Sequence, residues 1–97
     1  MAYVLVVRMK AQEGAEQRAL EVMRELATAS RQEPGCEAYV PCRDPDDPRS
    51  FVFFEQYRDK AAFEEHGATE HFQRLALGEL FPLMESRERA FYETVVD

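Results

Sequence analysis

Ninety-seven residues, 45% of them hydrophobic, suffice for a single domain over residues 1–97 with a thin core, and leave no room for a second. Nineteen acidic against twelve basic residues give a formal charge of −7, which repels phosphate backbones and disfavours nucleic acid or an anionic membrane as partner. The opening MAYVLVVRMKAQEG has neither the basic flank nor the cleavage site of a signal peptide and is too short to span a bilayer, so a cytoplasmic location is expected.

In chain order, β-branched and aromatic residues over 3–10 predict a first strand. From 15 to 31, Ala19, Val22, Met23, Leu26, Ala27 and Ser30 recur at three- and four-residue spacing and predict an amphipathic helix, ended by Pro34 and Gly35. CEAYVPCR (36–43) reads as a second strand, in which Pro41 cannot donate a ladder hydrogen bond and so marks an edge or a bulge. Cys36 and Cys42 lie six residues apart along it, roughly 20 Å at strand rise, so both are expected as free thiols. DPDDPRS (44–50) is a polar loop, and FVFFEQYR (51–58) carries the strongest strand pattern. Asp59 caps a short helix over 60–66 that Gly67 stops; Thr69 caps another, in which Phe72, Leu75, Ala76 and Leu80 share a face until Pro82. ERAFYETVV (88–96) closes the chain as a last strand.

The order βαββαβ predicts an α+β, ferredoxin-like fold, an antiparallel sheet with helices on one face. The strands are apolar on both sides: Phe51 and Phe53 oppose Val52 and Phe54, while Tyr3, Leu5 and Val7 oppose Val4 and Val6. One helical layer covers one side only, so the other is expected to meet a second copy of the sheet in a two-fold homodimer.

Both histidines fall within FEEHGATEHF (63–72). A zincin-type pair needs a spacing of four on one helix, whereas His66 and His71 are five apart with Gly67 between them, which disfavours a metal. His71 is expected in a first helical turn, where the dipole favours a neutral ring; His66 is expected in a last turn, where Glu64 and Glu65 favour the charged one. Bases stacking on the central-strand aromatics, as in RNA-binding βαββαβ domains, is disfavoured by the missing glycines and the net charge. Tyr39, Phe53, Tyr57, Phe63, Phe72, Phe81 and Phe91 could line a flat apolar pocket between sheet and helices, suited to a planar aromatic ligand, although core packing explains most of them more simply.

EPGC (33–36) after the first helix, followed by FVFFEQYRDKAAFEEHGATEHFQ (51–73), resembles the antibiotic biosynthesis monooxygenase (ABM) family, including its small stand-alone quinol monooxygenase-like members. The resemblance covers nearly the whole chain. It implies a dimeric α+β barrel that oxygenates a quinol-like or polyphenolic aromatic with O2, without metal, flavin or haem. The positions it matches are Glu55, Tyr57, His66, His71 and Phe72, with tryptophan often standing in the family where Tyr57 stands here. It implies His66 as the pocket-facing group and base, His71 as a second hydrogen-bonding group, Tyr57 and Phe72 as walls, and a structural role for Glu55. Tyr39, Phe53 and Phe81 complete the candidate substrate-binding set.

Haem-degrading relatives use an asparagine, a tryptophan and an iron-binding histidine; the aligned positions here are Val7, His66 and Ala76, so haem cleavage is not implied. The asparagine and tryptophan of some anthrone-oxidising relatives are also missing, as the chain contains neither residue. Two other readings share the fold: a non-catalytic small-ligand binding module, and an isomerase of a small phosphorylated sugar.

Overall fold

A computed structural model describes residues 1–96. Strand β1 (Tyr3–Ala11) leads into helix α1 (Glu16–Ser30), followed by β2 (Cys36–Arg43), β3 (Ser50–Tyr57) and α2 (Lys60–Ala68). A π-wound helix (Phe72–Leu80), a single 3₁₀ turn (Phe81–Leu83) and β4 (Met84–Glu93) complete the order. The four strands form one antiparallel sheet in the order β2-β3-β1-β4, the expected ferredoxin-like arrangement. Pro41 lies on the edge strand β2, where its missing N–H disrupts no further ladder, and a register shift falls at Cys36/Ala38. Both cysteines are free thiols.

Alternation along the strands sends Leu5, Val7, Met9, Phe51 and Phe53 into one core with Val22, Met23 and Leu26 of α1. Each large aliphatic or aromatic side chain so buried contributes about 1.5–3 kcal/mol. On the opposite side of the sheet Val40, Val52, Phe54 and Tyr92 stay 39–57% exposed, so the two-faced strand pattern does leave one face uncovered in the single chain.

Two boundaries and the winding of one helix depart from expectation. α2 runs through Gly67 to Ala68, because one glycine weakens a helix by about 1 kcal/mol without ending it. The break falls at Thr69, whose backbone is extended (ψ 153°) and whose hydroxyl donates to the His66 carbonyl (2.7 Å) while accepting from the Phe72 N–H (3.2 Å). The helix after it is wound i→i+5, with the Phe81 N–H bonded to the Ala76 carbonyl; Leu75 and Leu80, five apart, are both fully buried, which suits that period. β4 begins at Met84 and ends at Glu93 rather than spanning 88–96, because its ladder follows the length of β1, pairing Ala11 with Met84 and Tyr3 with Glu93.

Candidate active site

The turn between α1 and β2 is pinned from three sides. Arg31 donates from Nε (3.0 Å) and Nη2 (2.7 Å) to the Tyr39 carbonyl, the Cys36 N–H reaches the Glu33 carbonyl (3.1 Å), and the Gly35 carbonyl accepts from the Arg58 N–H (2.8 Å). Gly35 also lies flush against α2: a Cβ there would sit 2.4 Å from the Ala62 Cβ. α2 is set in turn by Asp59, whose Oδ1 accepts from the Ala62 N–H at 2.8 Å.

These constraints direct the Glu33 carboxylate at both histidines. Its Oε2 lies 2.8 Å from His66 Nδ1 and 2.6 Å from His71 Nε2. An ionised carboxylate only accepts, so each ring supplies an N–H, and in the neutral rings the lone pairs fall on His66 Nε2 and His71 Nδ1. His66 Nε2 faces Glu55 Oε1 at 3.9 Å, and that same oxygen accepts from the Tyr57 hydroxyl at 2.6 Å. Glu33, His71, His66, Glu55 and Tyr57 therefore form one chain of polar groups from a half-exposed ring to the interior.

Burial governs its electrostatics. It pushes the Glu55 carboxyl up to about 7 from an ordinary 4.5, opposed by the Tyr57 hydrogen bond and reinforced by the charge of Glu33. It lowers the His66 imidazole below 6.5, with Glu33 pulling the other way. The expectation that Glu64 and Glu65 hold His66 charged is thus reversed, because both glutamates are exposed while the ring itself is 2% exposed. Burial also raises the phenols of Tyr39 and Tyr57, so both remain protonated, and Tyr57 donates to Glu55.

Glu55 supplies a test. An acid whose folded-state value is raised contributes stability fully below pH 4.5 and loses it as pH climbs through about 7. At roughly 1.4 kcal/mol per unit, that is a loss of about 3 kcal/mol. His66, lowered when folded, contributes in the opposite sense: its stability is present above 6.5 and lost below. Denaturant titrations at pH 5 and pH 8 should therefore show wild type losing more stability than Glu55→Gln on going to the higher pH. Equal losses would refute the assignment.

Every predicted site residue meets in one cluster. The His66 ring lies 5.1 Å from Phe72, 5.3 Å from Tyr57, 5.6 Å from Tyr39 and 6.1 Å from His71, centroid to centroid. Phe53 meets Tyr39 at 5.8 Å, and Phe81 meets Phe72 at 6.0 Å. The flat cavity expected under the helices is filled by the rings meant to line it, since Phe53, Tyr57 and Tyr39 are at most 2% exposed. Open clefts of about 660 and 430 Å³ lie elsewhere, one beside Arg8, Arg43 and Val52, the other between α1 and β2. His71, Phe72 and Phe81 are half-buried and form one edge of the cluster, and Phe63, also half-buried, lies at another.

Glu33 is the residue that sequence reasoning missed. EPGC contributed to the resemblance, but no spacing rule links position 33 to 66 or 71. The disfavoured metal reading rested on both histidines sharing a helix; the turn at Thr69 instead swings His71 back, and the donor atoms of Glu33, His66 and His71 lie within 4.8 Å of one another. Two imidazoles and a carboxylate suit zinc chemically, but donors around a tetrahedral ion sit about 3.3 Å apart, so an ion would have to spread these hydrogen-bonded contacts by about half an ångström.

An antiparallel βαββαβ sheet with its helices on one face and a carboxylate joining two histidines among aromatic rings defines a small α+β domain with one cluster of titratable groups on its helix side. The antibiotic biosynthesis monooxygenase family profile matches residues 2–76, and the chain belongs to that family. A crystal structure of an antibiotic biosynthesis monooxygenase is 34% identical, covering 99% of this chain and all of that one, with a TM-score of 0.89. PA3566 from Pseudomonas aeruginosa is 30% identical over 98% of this chain and 95% of its own, also with a TM-score of 0.89. The uncharacterised protein sll1783 from Synechocystis is 44% identical over 43 residues, which make up 44% of this chain and 29% of that longer protein. No helix among the described residues is long and apolar enough to cross a membrane.

Proposed function

We propose that this protein is a cofactor-independent monooxygenase that oxidises a quinol-like aromatic with O2. The observation that carries the reading is the single Glu33 oxygen accepting from both histidines, which fixes each ring with its other nitrogen free to take a proton. The aromatic docks from the half-exposed side, against Phe72 and Phe81. His71 Nδ1 removes a hydroxyl proton, and the Glu33 carboxylate, oriented by its second hydrogen bond from His66, stabilises the imidazolium that forms. The resulting phenolate is electron-rich enough to reduce O2: a ring carbon bonds to oxygen, the imidazolium returns the proton to the peroxide, and loss of water leaves a hydroxyquinone. Quinol plus O2 gives hydroxyquinone plus water, and the atoms and electrons balance with no further reagent.

A homodimer belongs to the same reading. Val40, Val52, Phe54 and Tyr92 offer an apolar face that a second sheet would cover. The purified protein should sediment as a dimer and consume O2 with a panel of hydroquinones faster than they autoxidise, and His71→Ala should lower that rate by roughly 10²–10⁴. Ligand-dependent stabilisation without O2 uptake would favour the binding-module reading instead, and turnover under anaerobic conditions the isomerase.

A further inference from the structure

The geometry points to an aromatic substrate that carries a negative charge, a carboxylate on the ring or on a short side chain, held by Arg87 and Arg89 on β4. The extensive contacts of this edge strand are with β1, Phe63 of α2 meets it from the helix side, against Phe91, and its residues after Met84 are almost all exposed. Its helix-side face begins where the histidine cluster ends. From His66, one run of rings passes through Phe72 to Phe81, over which the Arg87 guanidinium lies at 3.8 Å. Another passes through Tyr57 and Phe63 to Phe91, with the Arg89 guanidinium at 5.1 Å. Arg87 and Arg89 are two apart on one strand, so they share a face about 7 Å from each other.

Both are exposed, and among the described residues neither forms an ion pair, in a chain with seven more acids than bases. Glu85, the nearest acid before them on the strand, is taken by Arg49. Two uncommitted guanidiniums at the ends of two aromatic walls match a flat ring with an anionic substituent: the ring stacks on the walls and the carboxylate bridges the forks. The hydroxyl to be deprotonated then points inward to the histidines, away from the charge. A second copy of the chain is a poorer occupant, because its own net charge of −7 carries no assigned acid to this strip and its apolar sheet face lies on the other side.

This inference rests on the aromatic-oxidising reading of the site, but its test reads binding under anaerobic conditions, so absent O2 uptake would count against the oxygenase reading alone. Calorimetric titration should show 2,5-dihydroxybenzoate binding about tenfold or more tighter than hydroquinone at low salt, with the gap narrowing at high salt. In Arg87→Gln/Arg89→Gln the benzoate should fall to the affinity of hydroquinone. Equal affinities in wild type, or a preference that survives the double substitution, would overturn the proposal. So would a double variant whose sedimentation changes from dimer to monomer, since the strip would then be a subunit contact.

Discussion

Substituting Gly35 by alanine should lower the melting temperature more than any other single methyl added to this chain's glycines. The new Cβ would stand 2.4 Å from that of Ala62, itself 2% exposed, so neither side can yield without moving backbone. Overpacking of this kind costs about 1–3 kcal/mol, and a domain of this size loses roughly 4–8 °C per kcal/mol. The consequence reaches the chemistry because Ala62 and His66 share α2 and Glu33 shares the turn with Gly35. Forcing α2 from the turn stretches the 2.8 Å contact between His66 and Glu33, so quinol-dependent O2 uptake should fall with stability. Gly67→Ala is the control: nothing lies within 4 Å of its added Cβ, and a helical alanine should raise stability by about 0.5–1 kcal/mol. A melting temperature for Gly35→Ala within a degree or two of wild type would contradict the packing.

Glu33→Gln is expected to have the largest effect on activity. The amide keeps the shape, and its oxygen can still accept from both rings, but the charge is removed. Hydrogen bonds to charged groups contribute about 1.5–3 kcal/mol, so some stability is lost. The greater effect falls on the histidines, which lose the anion that stabilises each ring once protonated. O2 uptake should drop roughly 10²–10⁴-fold, mostly in kcat. NMR titration of His66 should move further below its usual range, because burial then acts with less opposition. Unchanged turnover and an unmoved His66 titration would dismiss Glu33 as the organising residue. Since the titration does not depend on any substrate, it separates the role of Glu33 from the identity of the reaction.

The strand and helix order was legible because local patterns are strong. FVFFEQYR alternates across one sheet and Ala19 to Ser30 repeat at helical spacing, and both elements stand within a residue or so of where those patterns put them. The end of α2 was misplaced because the glycine signal at Gly67 is only a propensity, whereas the cap at Thr69 is made by actual hydrogen bonds. The π-wound helix was also unforeseen, since leucines at 75 and 80 with an alanine between fit an α-helical reading almost as well.

The centre itself divides in the same way. His66, His71, Tyr57 and Phe72 were identified by motif, and the aromatic surroundings by composition. That the histidines share one oxygen of Glu33, and that His66 is buried rather than beside charged neighbours, depends on the approach of Gly35 to Ala62 and on the bend at Thr69. By itself the sequence determined which faces are apolar, since side-chain alternation and helical period are properties of the local chain. Only the tertiary structure decided which polar groups meet and in which charge states, because those follow from distances between segments some 30 residues apart and from the water that their packing excludes.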